Sequence, residues 1–260
     1  MTHEEKCLWL IQALLLEQPA WSDMEIPDSG AERRKLLRAL MNVRPPKPIS
    51  EEFLKIQDEF LCAERDALGV VDVNTLPSMG SDDRLVLWQG DITTLAVDAI
   101  VNAANSALRG CFYPLHSCID NIIHSKSGIQ LRLKCDELMN AQGHDEPTGQ
   151  AKLTPAYNLP CRYVLHTVGP IIYDTVTEAD RKLLASCYRS CLELAAAHGL
   201  SGIAFCCIST GEFHFPNGLA AEIAVETVRG FLQKDSSIRR VVFNVFKDTD
   251  LRIYRSLLGA

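Results

Sequence analysis

The chain has 260 residues, 47% of them apolar and 23% charged, with 15 Gly and 12 Pro. Those proportions are ordinary for a globular protein and exclude a disordered chain, a collagen-like repeat and a coiled coil. No stretch approaches the roughly 18 apolar residues of a membrane helix. A net charge of −7 also argues against a nucleic-acid groove, which would show a basic stripe.

The acidity is uneven. Residues 1–80 carry 9 Lys/Arg against 14 Asp/Glu, and residues 81–260 carry 17 against 19. An anionic ligand must therefore be held by local geometry and not by a global field. At the N-terminus, Cys7 to Leu16 is mostly apolar, as in a signal peptide. Glu4 and Glu5 stand where such a segment wants positive charge, however, and no small-residue cleavage site follows. An amphipathic helix of a cytoplasmic protein is expected. The chain has 10 cysteines, too sparse for a disulfide framework in a chain this long. Most, including Cys187, Cys191, Cys206 and Cys207, read as small buried hydrophobes.

Residues 1–80 read as a helical extension, with apolar residues at helical spacing over Glu4–Glu17 and Gly30–Met41. Arg44-Pro45-Pro46-Lys47-Pro48 cannot be helical and makes a stiff link. Ser50 precedes Glu51, Glu52 and Phe53, a helix start with an acidic first turn, running to about Ala67. No constellation of reactive groups stands here, and a helical cap or a partner-facing appendage is expected.

From Arg84 the pattern changes. Short β-rich runs (Leu85–Trp88, Ala99–Val101, Tyr163–Val168, Ile203–Ile208 and Val241–Phe246) alternate with helical stretches at Glu178–His198 and from Asn217 to about Leu232. In the first of these, Leu183, Leu184, Cys187, Cys191 and Leu194 fall on one face, and Gly199 supplies a C-cap. Apolar strands alternating with helices predict an α/β/α layered domain over 81–260 with a largely parallel or mixed central sheet. In such domains ligands sit at the carboxyl ends of the strands.

Three segments stand at those ends. Trp88-Gln89-Gly90-Asp91-Ile92-Thr93 is an apolar run that stops at a Gly-Asp turn, and Val101-Asn102-Ala103-Ala104-Asn105-Ser106 runs into two amides. Cys207-Ile208-Ser209-Thr210-Gly211-Glu212-Phe213 is a strand end and small-residue loop ahead of a helix. Open backbone N–H groups and a helix terminus suit a phosphate. Ser209–Gly218 holds no Lys or Arg, so any anion there is bound by amides. The G-x-G-x-x-G and G-x-x-x-x-G-K-[ST] nucleotide fingerprints are both absent.

Taken together with Tyr163-Val164-Leu165-His166-Thr167-Val168-Gly169-Pro170, these segments resemble, in order and over roughly 84–258, the macrodomain family, which binds ADP-ribose. The resemblance implies the three-layer fold. It places adenine against Asp91 and Ile92, the diphosphate on Ser209, Thr210, Gly211, Glu212 and Phe213, and the distal ribose near Asn105, Ile119 and Asp120. One departure stands out. Where many relatives carry a glycine-rich loop, this chain reads Gly110-Cys111-Phe112-Tyr113-Pro114-Leu115-His116-Ser117-Cys118-Ile119-Asp120. Two thiolates and an imidazole this close can converge on one zinc ion, and Cys₂His with an open fourth position is a catalytic arrangement. The loop resembles that of the zinc-containing class of bacterial and fungal macrodomains, which also carry an N-terminal helical extension.

That resemblance implies a Zn²⁺-dependent hydrolase releasing ADP-ribose from a mono-ADP-ribosylated protein. Zinc would be held by Cys111, His116 and Cys118, with Asn105 and Asp120 at the reacting ribose. It further implies a sirtuin-like transferase and a lipoyl-carrier substrate, and neither nucleic acid nor membrane as a partner. A module that binds ADP-ribose without cleaving it, or a hydrolase of small ADP-ribose derivatives, would use the same binding residues. Asp120 also suits the N-cap of the helix containing Ile122 and Ile123. His124 is expected to be a hydrogen-bonded packing residue and His166 structural. His214 is expected to shape the ligand wall and Glu212 to point to solvent or ribose. His144-Asp145-Glu146-Pro147-Thr148-Gly149-Gln150 reads as a loop between a helix and the next strand.

Overall fold

The computed structural model describes residues 1–21, 23–235 and 237–259. Three helices come first, α1 (His3–Leu16), α2 (Gly30–Val43) and α3 (Glu51–Leu68). Short strands β1 (Val71–Asp72) and β2 (Ser78–Met79) precede β3 (Asp82–Gln89), β4 (Leu95–Ala96) and β5 (Ala99–Ala104). Helices α4 (Ile119–Ser127) and α5 (Ile129–Gln142) lead into β6 (Ala151–Pro155) and β7 (Tyr163–Val168). Then follow α6 (Glu178–Ala197), β8 (Gly202–Phe205), α7 (Asn217–Leu232), β9 (Arg240–Val245) and α8 (Asp248–Leu258).

The main sheet runs β2-β3-β9-β8-β5-β7-β6. The strands from β3 to β7 in that order are parallel, and β2 and β6 add antiparallel edges. Val101, Val164, Ile203 and Val241 are fully buried, as strands covered on both faces require. Helices α6, α7 and α8 pack on one another as one layer, and α4 and α5 form the other. The small strand β6 went unread in the sequence because Lys152 and Pro155 break its apolar run, a composition that only an edge position tolerates. On α6, Leu184, Cys187 and Cys191 are buried, but Leu183 turns 36% of its surface outward.

The helical extension starts from a capping box in which Thr2 and Glu5 satisfy each other's backbone N–H groups. Ser50 caps α3 by accepting from Phe53 N at 3.2 Å. Leu10, Ile11, Leu14 and Phe53 form a second core, which Ile129 of α5 joins to the α/β part. Beyond α3 the chain already pairs with the rest: β1 runs parallel to β4, and β2 antiparallel to β3. No helix among the described residues is long and apolar enough to cross a membrane.

Candidate active site

Parallel strands put their carboxyl ends on one edge of the sheet, and the loops leaving β3, β5, β8 and β9 enclose a cavity of about 570 Å³ there. That volume is typical of a small-molecule site. Asp91, Ile92, Asn105, Cys111, His116, Cys118, Ile119, Asp120, Ser209, Thr210, Gly211, Glu212 and Phe213 all line it. Topology has brought together segments separated by more than a hundred residues.

At one end, Asp91 Oδ1 accepts from Thr93 N at 3.0 Å and Thr93 Oγ1 at 2.6 Å. These bonds cap the turn Ile92–Thr94 and leave Oδ2 unengaged among the described residues. Asn244 Nδ2 donates to Gly90 O at 2.9 Å and steadies the same turn. Phe246, 77% exposed, lines this cavity with Lys247 and Asp250. Sequence reasoning missed all four. The signal available was the strand Val241–Phe246 ending in a polar turn, the same signature used for the other strand ends. Cys206 and Cys207 lie just past β8, which ends at Phe205, and line the cavity floor. Burial pushes the Cys206 thiol up to about 12, so it stays neutral.

The loop Ser209–Phe213 folds back on itself through Phe215 N to Ser209 O at 2.9 Å and His214 N to Gly211 O at 3.1 Å. Its own N–H groups at Gly211, Glu212 and Phe213 donate to no group among the described residues. Ser209 Oγ is buried without a partner. Unpaired donors at a cavity wall call for an acceptor from a ligand. His214, outside the cavity and exposed, holds a left-handed φ of 57°.

The loop after β5 carries the donors. Cys111 Sγ and His116 Nδ1 are 3.7 Å apart, and the ligand atoms of Cys111, His116 and Cys118 all lie within 4.8 Å of one another. Tetrahedral zinc with ordinary bond lengths sets sulfur and nitrogen about 3.5 Å apart. The residues present fit the ion. Burial, aided by the neighbouring Cys111 thiol, pushes the Cys118 thiol up to about 12, so metal uptake must displace its proton. His116 Nε2 faces Glu212 Oε1 at 3.7 Å across the cavity mouth, so Glu212 points toward the donor loop. The helix α4 takes Cys118, not Asp120, as its N-cap, with Cys118 Sγ accepting from Asn121 N at 3.4 Å.

Asp120 is released by that cap to turn into the cavity wall, where it is 4% exposed. Its Oδ1 accepts from Asn102 Nδ2 at 2.8 Å and its Oδ2 from Asn105 Nδ2 at 3.4 Å. Burial raises its pKa to about 6 against the lowering effect of the Asn102 bond and Arg132. Asn102 is set in turn by His166, its register partner on β7. Asn102 Nδ2 lies 3.2 Å from His166 Nδ1, and His166 Nε2 lies 2.9 Å from Thr154 Oγ1. Donation from Asn102 leaves the proton on Nε2, directed at Thr154. His124 departs from expectation: it is buried, but neither ring nitrogen has a hydrogen-bond partner. Its Nε2 stands 3.6 Å from Asp120 Oδ1. Gly110, at φ 82°, makes room for that ring, since a Cβ there would meet it at 2.8 Å. His144–Gln150 joins α5 to β6 and does not touch the cavity.

The layered sheet and the cleft at its strand ends define a member of the macro domain family, to which this chain belongs; the family model matches residues 101–224. The chain is 53% identical to a protein-ADP-ribose hydrolase of Treponema medium over 262 residues, covering 100% of both. It is 48% identical to a protein-ADP-ribose hydrolase of Staphylococcus aureus strain Mu50 over 252 residues, 96% of this chain and 94% of that one. A solved Trypanosoma brucei macrodomain in complex with ADP-ribose superposes with a TM-score of 0.67 at 31% identity, covering 85% of this chain and 95% of that chain.

Proposed function

We propose that the chain is a hydrolase that releases ADP-ribose from mono-ADP-ribosylated protein by cleaving the bond at C1″ of the distal ribose. One observation carries this reading. A single cavity is lined by Asp91, Ile92 and Phe246, by the loop Ser209–Phe213, and by a cluster of Cys111, His116, Cys118, Asn105 and Asp120. The free oxygen of Asp91 accepts from the adenine amine, with Phe246 against the ring. The N–H groups of Gly211, Glu212 and Phe213 and the Ser209 hydroxyl take the diphosphate.

Cleavage at C1″ develops oxocarbenium character. The Asp120 carboxylate, with Asn102 and Asn105 holding one oxygen each, orients water and offsets positive charge on the ring. Asn105 also hydrogen-bonds a ribose hydroxyl. With a pKa of about 6, Asp120 is mostly ionised at neutral pH. Cys111, His116 and Cys118 would hold a zinc ion, which would supply Lewis acidity tempered by two thiolates. The ten free cysteines suit a cytoplasmic setting. On the family likeness, the substrate we propose is a lipoyl-carrier protein modified by a sirtuin-like transferase.

The test is incubation of a mono-ADP-ribosylated carrier protein with the chain, with and without chelator, while free ADP-ribose is followed. Release that stops on chelation supports the reading. Tight ADP-ribose binding with no release from any linkage replaces it with a non-catalytic binding module.

A further inference from the structure

The donor loop Cys111–Cys118 barely holds itself together. Its only internal backbone bond is His116 N to Tyr113 O at 3.3 Å. Leu115, within it, takes a left-handed φ of 57°, which a branched side chain adopts only when its surroundings enforce it. The enforcement comes from the helical extension.

Arg38 of α2 donates Nη2 to His116 O at 2.7 Å and to Asn121 Oδ1 at 2.8 Å. Asn121 passes the hold on, donating Nδ2 to Tyr113 O at 2.9 Å. Asn42, one turn further along α2 and 1% exposed, accepts from Leu115 N at 3.0 Å. From the other side, Arg132 of α5 donates to the carbonyls of Met41, Asn42 and Arg44 at the end of α2, and to Cys111 O at 3.3 Å. Its guanidinium lies 4.1 Å over the Phe112 ring. Carbonyls at a helix end need such donors, so one side chain caps α2 and tethers the loop. Arg34, one turn earlier on α2, shows the contrast. It pairs with Glu4 and Glu64 at 2.7 and 3.0 Å, whereas Arg38 pairs with no carboxylate among the described residues.

We propose that α2 is the positioning element of the donor loop, with Arg38 and Asn42 holding residues 111–118 in the shape that brings Cys111, His116 and Cys118 together. The extension is then a working part of the site and not an appendage facing a partner. The proposal rests on reading those three side chains as metal ligands. Ordering a loop opposes metal uptake by its lost backbone freedom, and a loop ordered in advance binds more tightly.

The experiment compares Arg38→Ala, Arg38→Lys, Asn42→Ala and the control Arg34→Ala in the full chain. Zinc affinity is read by competition with a chromogenic chelator, and cobalt substitution reports thiolate coordination by its absorption. Hydrogen exchange is followed at residues 111–118 in metal-free protein, and ADP-ribose affinity by calorimetry. Arg38→Ala is expected to bind zinc at least tenfold more weakly, to alter the cobalt–thiolate band and to exchange faster in the loop. Its ADP-ribose affinity should stay within twofold. Arg38→Lys should recover part of the loss, because one ammonium replaces a fork that reaches two acceptors. Asn42→Ala repeats the test should Arg38→Ala fail to fold, and Arg34→Ala should match wild type in zinc affinity and loop exchange. Wild-type zinc affinity and loop protection in folded Arg38→Ala overturn the proposal. If wild type takes up neither zinc nor cobalt, the ligand reading falls, while loop exchange in the metal-free variants still decides whether α2 holds the loop.

Discussion

Two loops face each other across one cavity, and they are built on opposite plans. Ser209–Phe213 leaves the N–H groups of Gly211, Glu212 and Phe213 unpaired among the described residues and offers almost no reactive side chain. Cys111–Cys118 has its backbone tied down by Arg38, Asn42, Asn121 and Arg132 and presents two thiols and an imidazole. The first loop waits for a ligand to complete its hydrogen bonding. The second is completed by its own protein, so its side chains are held ready. Holding the substrate and acting on it are therefore assigned to different chemistry on different loops, and substitutions should separate affinity from rate.

The sharpest break comes from the donors. Cys111→Ala, His116→Ala and Cys118→Ala should each drop metal content well below one per chain by elemental analysis, since three ligands leave no redundancy. Single-turnover cleavage should fall by at least about 10²-fold, roughly 2.7 kcal/mol of barrier. ADP-ribose affinity should change far less, because Asp91 and the 209–213 loop are untouched. Asp120→Ala should lose cleavage while keeping its zinc. Normal cleavage by metal-free variants would make the metal structural and remove the catalytic assignment.

The opposite loop and the adenine end should break in the other direction. Asp91→Ala is expected to weaken ADP-ribose binding by about 1–3 kcal/mol, the usual effect of removing one partner of a buried polar pair. Gly211→Val tests the amide loop more cleanly. A Cβ at Gly211 meets no protein atom within 4 Å, so the variant should fold normally and obstruct only the ligand. Both should leave zinc content at the wild-type value. Unchanged affinity by calorimetry in either variant would show that its end of the cavity does not take the ligand.

Much of this arrangement was legible in the chain, and the gaps have physical causes. The strand ends at Asp91, Asn105 and Ser209 announce themselves because an apolar run stops at small or amide residues, and Cys-x₄-His-x-Cys announces the donors. The helix expected from Asn217 to about Leu232 spans Asn217–Leu232. Asn244 on β9 and Phe246 just past its end stayed hidden because nothing local marks them until the sheet order sets β9 beside β3. The Asn102–His166 contact depends on the register of β5 against β7, which no local pattern encodes. The hold of Arg38 on His116 crosses 78 residues. Cys118 displaced Asp120 as N-cap because a thiol in that position can accept from Asn121 N, an ability the usual capping residues overshadow.

Behind Asp120 lies the buried chain of Asn102, His166 and Thr154, and pH can probe it. Burial lowers the pKa of His166 from 6.5 to about 3. The unfolded chain then takes a proton near pH 6.5 that the folded chain refuses, so this histidine makes stability fall as pH drops below 6.5. His166→Gln removes that proton and should flatten the dependence. The stability difference between wild type and variant should shift by about 1.5 kcal/mol between pH 6.5 and pH 5, given about 1.4 kcal/mol per proton per pH unit. His124, also depressed by burial, acts with the same sign. Asp120, raised to about 6, acts with the opposite one. His166 is itself one cause of the His124 shift, so the comparison reads the two histidines together. Parallel urea midpoints across that range would show that His166 is not held neutral.

The smallest effect should come from the outer side of the extension, and it bounds the role given to α2. Glu51 is exposed in the first turn of α3, so it acts only on the helix dipole, worth about 0.3–1 kcal/mol at an exposed terminus. Glu51→Ala should therefore shift the thermal midpoint slightly. Single-turnover cleavage should stay within about threefold of wild type, the factor that roughly 0.65 kcal/mol carries. Zinc content and ADP-ribose affinity should not move. The extension would then touch the chemistry only where α2 meets the donor loop, through Arg38 and Asn42. A hundredfold loss of cleavage in folded Glu51→Ala would mean that α3 also reaches the reaction, and the division between a positioning helix and its scaffold would have to be redrawn.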